Sequence, residues 1–180
     1  MDADDLLSDL QAQFSRLHQL SENALRQVPK DALREPLVSE GNSILILMKH
    51  LAGNFLSRWT DFLTSDGEKP NRNRDREFEY ERDDSPEAIK RSWDSAWTLV
   101  EETLASLAPE DLARTITIRG EPHSVQQALL RQLSHTSYHV GQIVLLARTF
   151  TGDAWCSLSI PRGQSAVFNR KPKRYLSNER

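Results

Sequence analysis

The sequence is poor in the residues that would point to several common classes of protein. Its 180 residues include a single cysteine, Cys156, so no disulfide can form within the chain and a disulfide-stapled secreted fold is excluded. Only seven glycines are present and aromatics make up 7%, which fits long helices better than a turn-rich β sandwich. There is no excess of charge of one sign: 23 Lys+Arg stand against 26 Asp+Glu, a formal net charge of -3. A nucleic-acid-binding domain would normally be basic, so no nucleic-acid partner is expected. Long apolar runs are missing too. Ile44 to Met48, among the longest, stops at Lys49, far short of the roughly 18 residues of a membrane span. The start, Met1-Asp2-Ala3-Asp4-Asp5, lacks the basic segment of a secretory signal. A cytoplasmic protein with no membrane partner is the expectation, and the length suits one domain.

What is present is apolar spacing of helical period. Leu6, Leu10, Phe14, Leu17, Leu20 and Ala24 make one face of a helix from about Ala3 to Val28. Ile44, Leu47, Met48, Leu51, Phe55, Trp59 and Phe62 mark a second helix from about Ser39 to Thr64. Residues 65–84 hold eight acids and five bases, too much charge for a core, and read as a long surface loop. Ser85-Pro86-Glu87 is a strong helix start, and the third helix runs to about Leu107. Pro109 opens a short turn through Ala113. Thr115 to Arg119 alternates and is β-branched before Gly120, so a short extended arm is expected there, with no evident partner strand. Ser124 and Gln127 form a capping box that opens a fourth helix to about Phe150. The remainder reads as irregular. Pro161 to Arg180 carries six Lys/Arg against one Glu, a local +5.

The expected fold is therefore all-α: a four-helix bundle over residues 1–160, a short extended arm before the last long helix, and a basic C-terminal tail over residues 161–180.

Five histidines are the scarce reactive residues. His135 and His139 stand at i and i+4, on one helical face and one turn apart, so both imidazoles can reach one metal ion. Chance alone supplies about 0.14 such pairs in a chain with this histidine content, so the spacing is suggestive but does not stand alone. A third ligand would close the set. His50 lies in the apolar stretch of the second helix, beside Met48 and Leu51. A buried imidazole without a partner costs about 1–3 kcal/mol, which a shared metal or a backbone carbonyl would equally relieve. No Glu follows His135 as it would in a peptidase zinc helix. His18 and His123 are weaker candidates: the first sits at the edge of its helix's apolar stripe, the second in the turn before the last helix. Asn54 and Arg58, one and two turns after His50, can face the same way. Arg131 is one turn before His135 and Gln142 three residues after His139. These four are the candidate substrate-binding residues; the two arginines could instead pair with Asp61 or Glu102. Tyr138 is expected to pack on another face, and Cys156 to be a small buried hydrophobe.

A histidine on the second helix followed by His-x-x-x-His on the last helix resembles the DinB-like metalloprotein superfamily. The strings KHLAGNFLSRWTDFLTSDGEKPNRNRDREFE, TITIRGEPHSVQQALLRQLSHTSYHVGQIVLLAR and WCSLSIPRGQSAVFN are similar to those of a bacterial subgroup within it. The resemblance implies an up-down-down-up bundle, a homodimer, and a divalent metal, zinc or nickel, on His50, His135 and His139. It also implies chemistry of the kind found in relatives: a metal-dependent thiol transferase or hydrolase using a low-molecular-weight thiol or water. It names no catalytic residue. The alternative is a non-catalytic dimeric metal-binding scaffold or a stress-related binding protein of unknown activity.

Overall fold

The structure, a computed structural model, describes residues 3–170. Four long helices dominate: α1 (Ala3–Leu25), α2 (Ile44–Trp59), α3 (Pro86–Ser106) and α4 (Val125–Thr151). Each of the last three begins at a serine whose hydroxyl accepts a backbone N–H that the first turn leaves unpaired. Ser43 accepts from Ile46, Ser85 from Ala88 and Ser124 from Gln127. Ser43 therefore starts the second helix four residues later than Ser39, where the apolar spacing alone placed it. It ends early as well, because the chain turns sharply after Trp59 and Asp61 takes a positive φ of 49°.

Contacts between helix ends set the directions. Gln11 Nε2 donates to the Leu104 carbonyl and Trp93 Nε1 to Glu22, so α1 and α3 run antiparallel. Thr151 Oγ1 donates to the Gln27 carbonyl, so α1 and α4 run parallel. His50 meets His135 while Asn54 meets Gln132, so α2 and α4 run antiparallel. This is an up-down-down-up bundle. Its interior is filled by Phe14, Phe55, Trp59, Trp93 and Trp97, all essentially without exposure. Their rings pack edge to face, as for Phe55 on Trp97 at 4.9 Å and Phe14 on Trp59 at 5.3 Å. No helix among the described residues is long and apolar enough to cross a membrane.

Because α2 and α3 are parallel, the chain between them must travel back the length of α2. Residues 60–85 do this, and the segment is not merely a surface loop. It lies along the outer side of α2 and buries that side, which is why thirteen of the sixteen α2 residues are buried. Ser57 Oγ donates to the Gly67 carbonyl, Tyr80 Oη is 2.6 Å from Ser43 Oγ, and Lys49 reaches both the Glu79 carbonyl and Asp84. A 3-10 turn at Asp75–Phe78 places one side chain, Glu77, in the interior.

The extended arm has a partner after all. Strand β1 (Thr115–Ile118) pairs antiparallel with β2 (Glu121–Ser124), with Ile118 opposite Glu121. The two residues between them, Arg119 and Gly120, have φ of 58° and 75°, the backbone of a primed hairpin turn. Neither Arg-Gly nor Glu-Pro-His-Ser carries the usual hairpin signature, which is why the pairing was not legible. Asp66 ties this turn to the crossing segment by accepting backbone N–H bonds from Glu68, Arg119 and Gly120. These bonds, led by the one from Glu68, hold its carboxyl below the usual range.

After α4 the chain is less irregular than its composition suggests: a 3-10 turn at Gly152–Ala154 is followed by a short helix, α5 (Ser165–Arg170). Half of the basic tail, residues 171–180, lies outside the described residues. Cys156 is exposed rather than buried.

Candidate metal centre

Three imidazoles meet between α2 and α4. His50 projects from the middle of α2, and the antiparallel crossing brings it opposite His135 and His139, one turn apart on α4. The potential ligand atoms of all three lie within 4.8 Å of one another. The rings stand nearly edge-on to each other, at interplanar angles of 69°, 74° and 76°. His50 Nε2 and His135 Nε2 are 3.2 Å apart. Two nitrogens each about 2.05 Å from one ion would have that separation when the angle between the bonds is about 100°, close to tetrahedral.

The tautomers are set from behind. A carboxylate can only accept, so His50 Nδ1 donates to Glu77 Oε2 at 2.9 Å, and its Nε2 lone pair is turned toward the other rings. His139 Nδ1 donates to Gln142 Oε1 at 2.9 Å, with the same consequence for its own Nε2. A cation between the rings would take up the lone pairs that these two tautomers present. Burial, with His139 and His50 alongside, pushes the His135 imidazole down to about 3; burial likewise pushes His139 down. Both are therefore neutral at pH 7, the form that binds a metal. The His135 Nδ1 has no partner among the described residues. The donor set fits a divalent ion held by nitrogen.

Glu77 is the residue the sequence reading missed. It comes from the charged segment, 27 residues from His50, and nothing marks it among the eight acids there. Arg72, only 5% exposed at its side chain, holds it with two bonds: Nε to Oε1 at 2.8 Å and Nη2 to Oε2 at 2.9 Å. Burial opposes ionisation of Glu77, but the bonds from His50 and Arg72 outweigh it and keep the carboxyl below its ordinary value. A carboxylate from a distant segment therefore stands beside the three histidines. It lies behind His50 and orients that ring; it does not line the open side of the pocket.

The open side is a cavity of about 430 Å³ whose wall includes the three histidines, Asn54, Arg58, Arg131, Gln142, Phe78 and Tyr138. All four polar residues chosen from the sequence thus lie around one cavity, although their bonding sets them apart. Gln142 is committed to His139. Asn54 Oδ1 accepts from Gln132 Nε2 at 2.8 Å, both side chains buried. Arg58 is buried and bonds the Gly67 carbonyl and Glu68, not Asp61 or Glu102. Arg131 donates to His123 Nε2 at 3.2 Å. Tyr138 does not pack into the core: it is 64% exposed, edge-on to His139 at 4.9 Å, at the rim of the cavity. The remaining histidines stay apart from the cluster. His18 stacks on Trp97 and pairs with Glu101, and His123 sits on β2 rather than in a turn.

Glu77 packs directly against α2 at Gly53, although an interior helix glycine costs about 1 kcal/mol relative to alanine. A Cβ there would come within 2.5 Å of Glu77 Oε1 and 2.8 Å of its Cδ. The carboxylate cannot swing aside freely, because Arg72 and His50 pin it. Gly53→Ala should therefore weaken metal binding about tenfold or more, despite alanine's better helix propensity. Competition with a chelating dye measures this; a variant with undiminished affinity and a raised Tm would show that Glu77 is free to move.

A family model described as "Protein of unknown function (DUF1572)" matches residues 2–164 of the chain. No curated protein matches it.

Proposed function

The chain belongs to the DUF1572 family, and from the chemistry of its site we propose that it is a metal-dependent enzyme of DinB-like type, activating a thiol or a water molecule at His50, His135 and His139. The observation that carries this reading is the convergence of three imidazoles on an open cavity, two of them with tautomers fixed by Glu77 and Gln142. A divalent ion on three neutral imidazoles keeps its full charge and makes a bound thiol or water acidic enough to deprotonate near neutral pH.

The chain's own residues supply the rest. The histidines would hold the ion from one side and leave the cavity side open, as a reactive site requires and a closed structural site does not. Glu77, kept ionised by Arg72, holds the His50 ring in one orientation, and Phe78 covers that ring at 4.5 Å. No carboxylate lines the cavity among the described residues, so no protein base competes to take the proton. That favours thiol transfer to an electrophile, in the manner of a thiol S-transferase, over base-assisted hydrolysis. Zinc or nickel suits the nitrogen donors, and the reading places the protein in the cytoplasm as a homodimer using a low-molecular-weight thiol.

Metal-loaded protein incubated with glutathione, bacillithiol or mycothiol and an electrophilic acceptor tests this. A metal-dependent thioether product is expected, lost on chelation while the helical circular-dichroism signal persists. If chelation instead unfolds the bundle and no thiol gives product, the ion is structural and the protein is a metal-binding scaffold.

A further inference from the structure

Five arginines line the cavity: Arg58, Arg72, Arg74, Arg119 and Arg131. Two carboxylates meet them within hydrogen-bond distance. Glu77 is taken by Arg72, and Glu68 is shared among Arg58, Arg72 and Arg119. Five positive charges against these two and the exposed Asp75 beside Arg74 leave a formal +2 around the cavity. The buried pair, Arg58 and Arg72, is committed to these acids. The other three are not. Arg119 has one bond of 3.2 Å to the shared Glu68 and is otherwise half exposed at the hairpin turn. Arg74 lies over the Phe78 ring at 4.9 Å and approaches only the exposed Asp75, at 3.9 Å. Arg131 meets only His123 Nε2, at 3.2 Å, and no carboxylate among the described residues.

These three guanidinium groups come from separate elements, the crossing segment, the hairpin and α4, yet they face one cavity. Like charges gathered in a cleft repel one another and focus a positive potential into it, an arrangement that favours an anionic occupant. Guanidinium forks match the oxygens of carboxylate and phosphoryl groups. Arg131 precedes His135 by four residues, about 6 Å of helix rise, so an anionic group held there leaves room for a small reactive part to reach the histidines.

We propose that the cavity binds its substrate through a carboxylate or phosphoryl group held by Arg74, Arg119 and Arg131, beside the three-histidine centre. The reacting end of that substrate rests on the metal-site reading above; the anion subsite rests on the arginines alone. Calorimetry at low ionic strength, with inorganic phosphate and with succinate, tests it on the full chain in metal-stripped and zinc-loaded forms. Saturable binding of at least one anion to the stripped protein is expected, and the tighter of the two assigns the group. The double variant Arg74→Gln/Arg131→Gln should weaken that binding at least tenfold while Tm and metal content stay unchanged. His139→Ala should lose metal yet retain the anion. Binding of neither anion, binding that survives loss of both arginines, or binding that disappears with His139→Ala would overturn the subsite. A His139→Ala protein that keeps its metal would instead overturn the metal centre.

Discussion

His50→Ala should give a folded protein that no longer retains a stoichiometric divalent metal. His50 is 2% exposed and supplies the only candidate nitrogen from α2, so its loss leaves two ligands on a single helix. Removing groups that merely orient a ligand typically costs 10- to 100-fold in metal affinity, so removing the ligand itself should cost at least about a hundredfold. The fold should survive, because Glu77 remains paired with Arg72 when the ring is gone. Elemental analysis after dialysis measures the effect. His139→Ala should behave in the same way, whereas His18→Ala and His123→Ala should keep the metal, since those rings bond to Glu101 and to the Glu121 carbonyl away from the cluster. Equal metal content in all four variants would remove the site.

Glu77→Ala should be strongly destabilising. It takes both strong bonds from a buried guanidinium and leaves Arg72 with only a 3.3 Å contact to Glu68. Breaking a buried ion pair from one side costs about 3–5 kcal/mol, which in a protein of this size lowers Tm by about 6–20 °C. Glu77→Gln separates orientation from stability. The amide preserves shape and can still accept from one neighbour, but its NH₂ opposes a donor of His50 or Arg72. The fold should be largely kept while metal affinity falls about 10- to 100-fold. A Glu77→Gln protein that binds metal as tightly as the parent would show that the carboxylate serves only Arg72.

The two discrepancies that matter most have one origin. Residues 65–84 looked too charged for a core, and α2 looked like an ordinary amphipathic helix. In the structure each explains the other: the charged segment covers the outer side of α2, and its charges can be buried because Arg58, Glu68, Arg72 and Glu77 satisfy one another. Composition shows how many charges a segment holds, not which of them will face each other. The β2 strand was hidden for a related reason. Glu-Pro-His-Ser has little strand character of its own and is held by its pairing with β1.

By itself the sequence determined the four helices, their caps at Ser85 and Ser124, and the two histidines that share a face of α4, because these depend on contacts three or four residues apart. It also singled out His50, as a polar ring in an apolar helix, and the polar residues one or two turns from the histidines. The tertiary structure decided what depends on distant pairing: that α2 crosses α4 at the height that sets His50 against His135, that Glu77 fixes the His50 tautomer, and that Arg74 and Arg119 join Arg131 around the cavity. Helical periodicity is local and survives in a string of letters. The ligand orientation and the field of a site arise from side chains brought together over 27 to 85 residues of chain, and only the packed bundle states which ones meet.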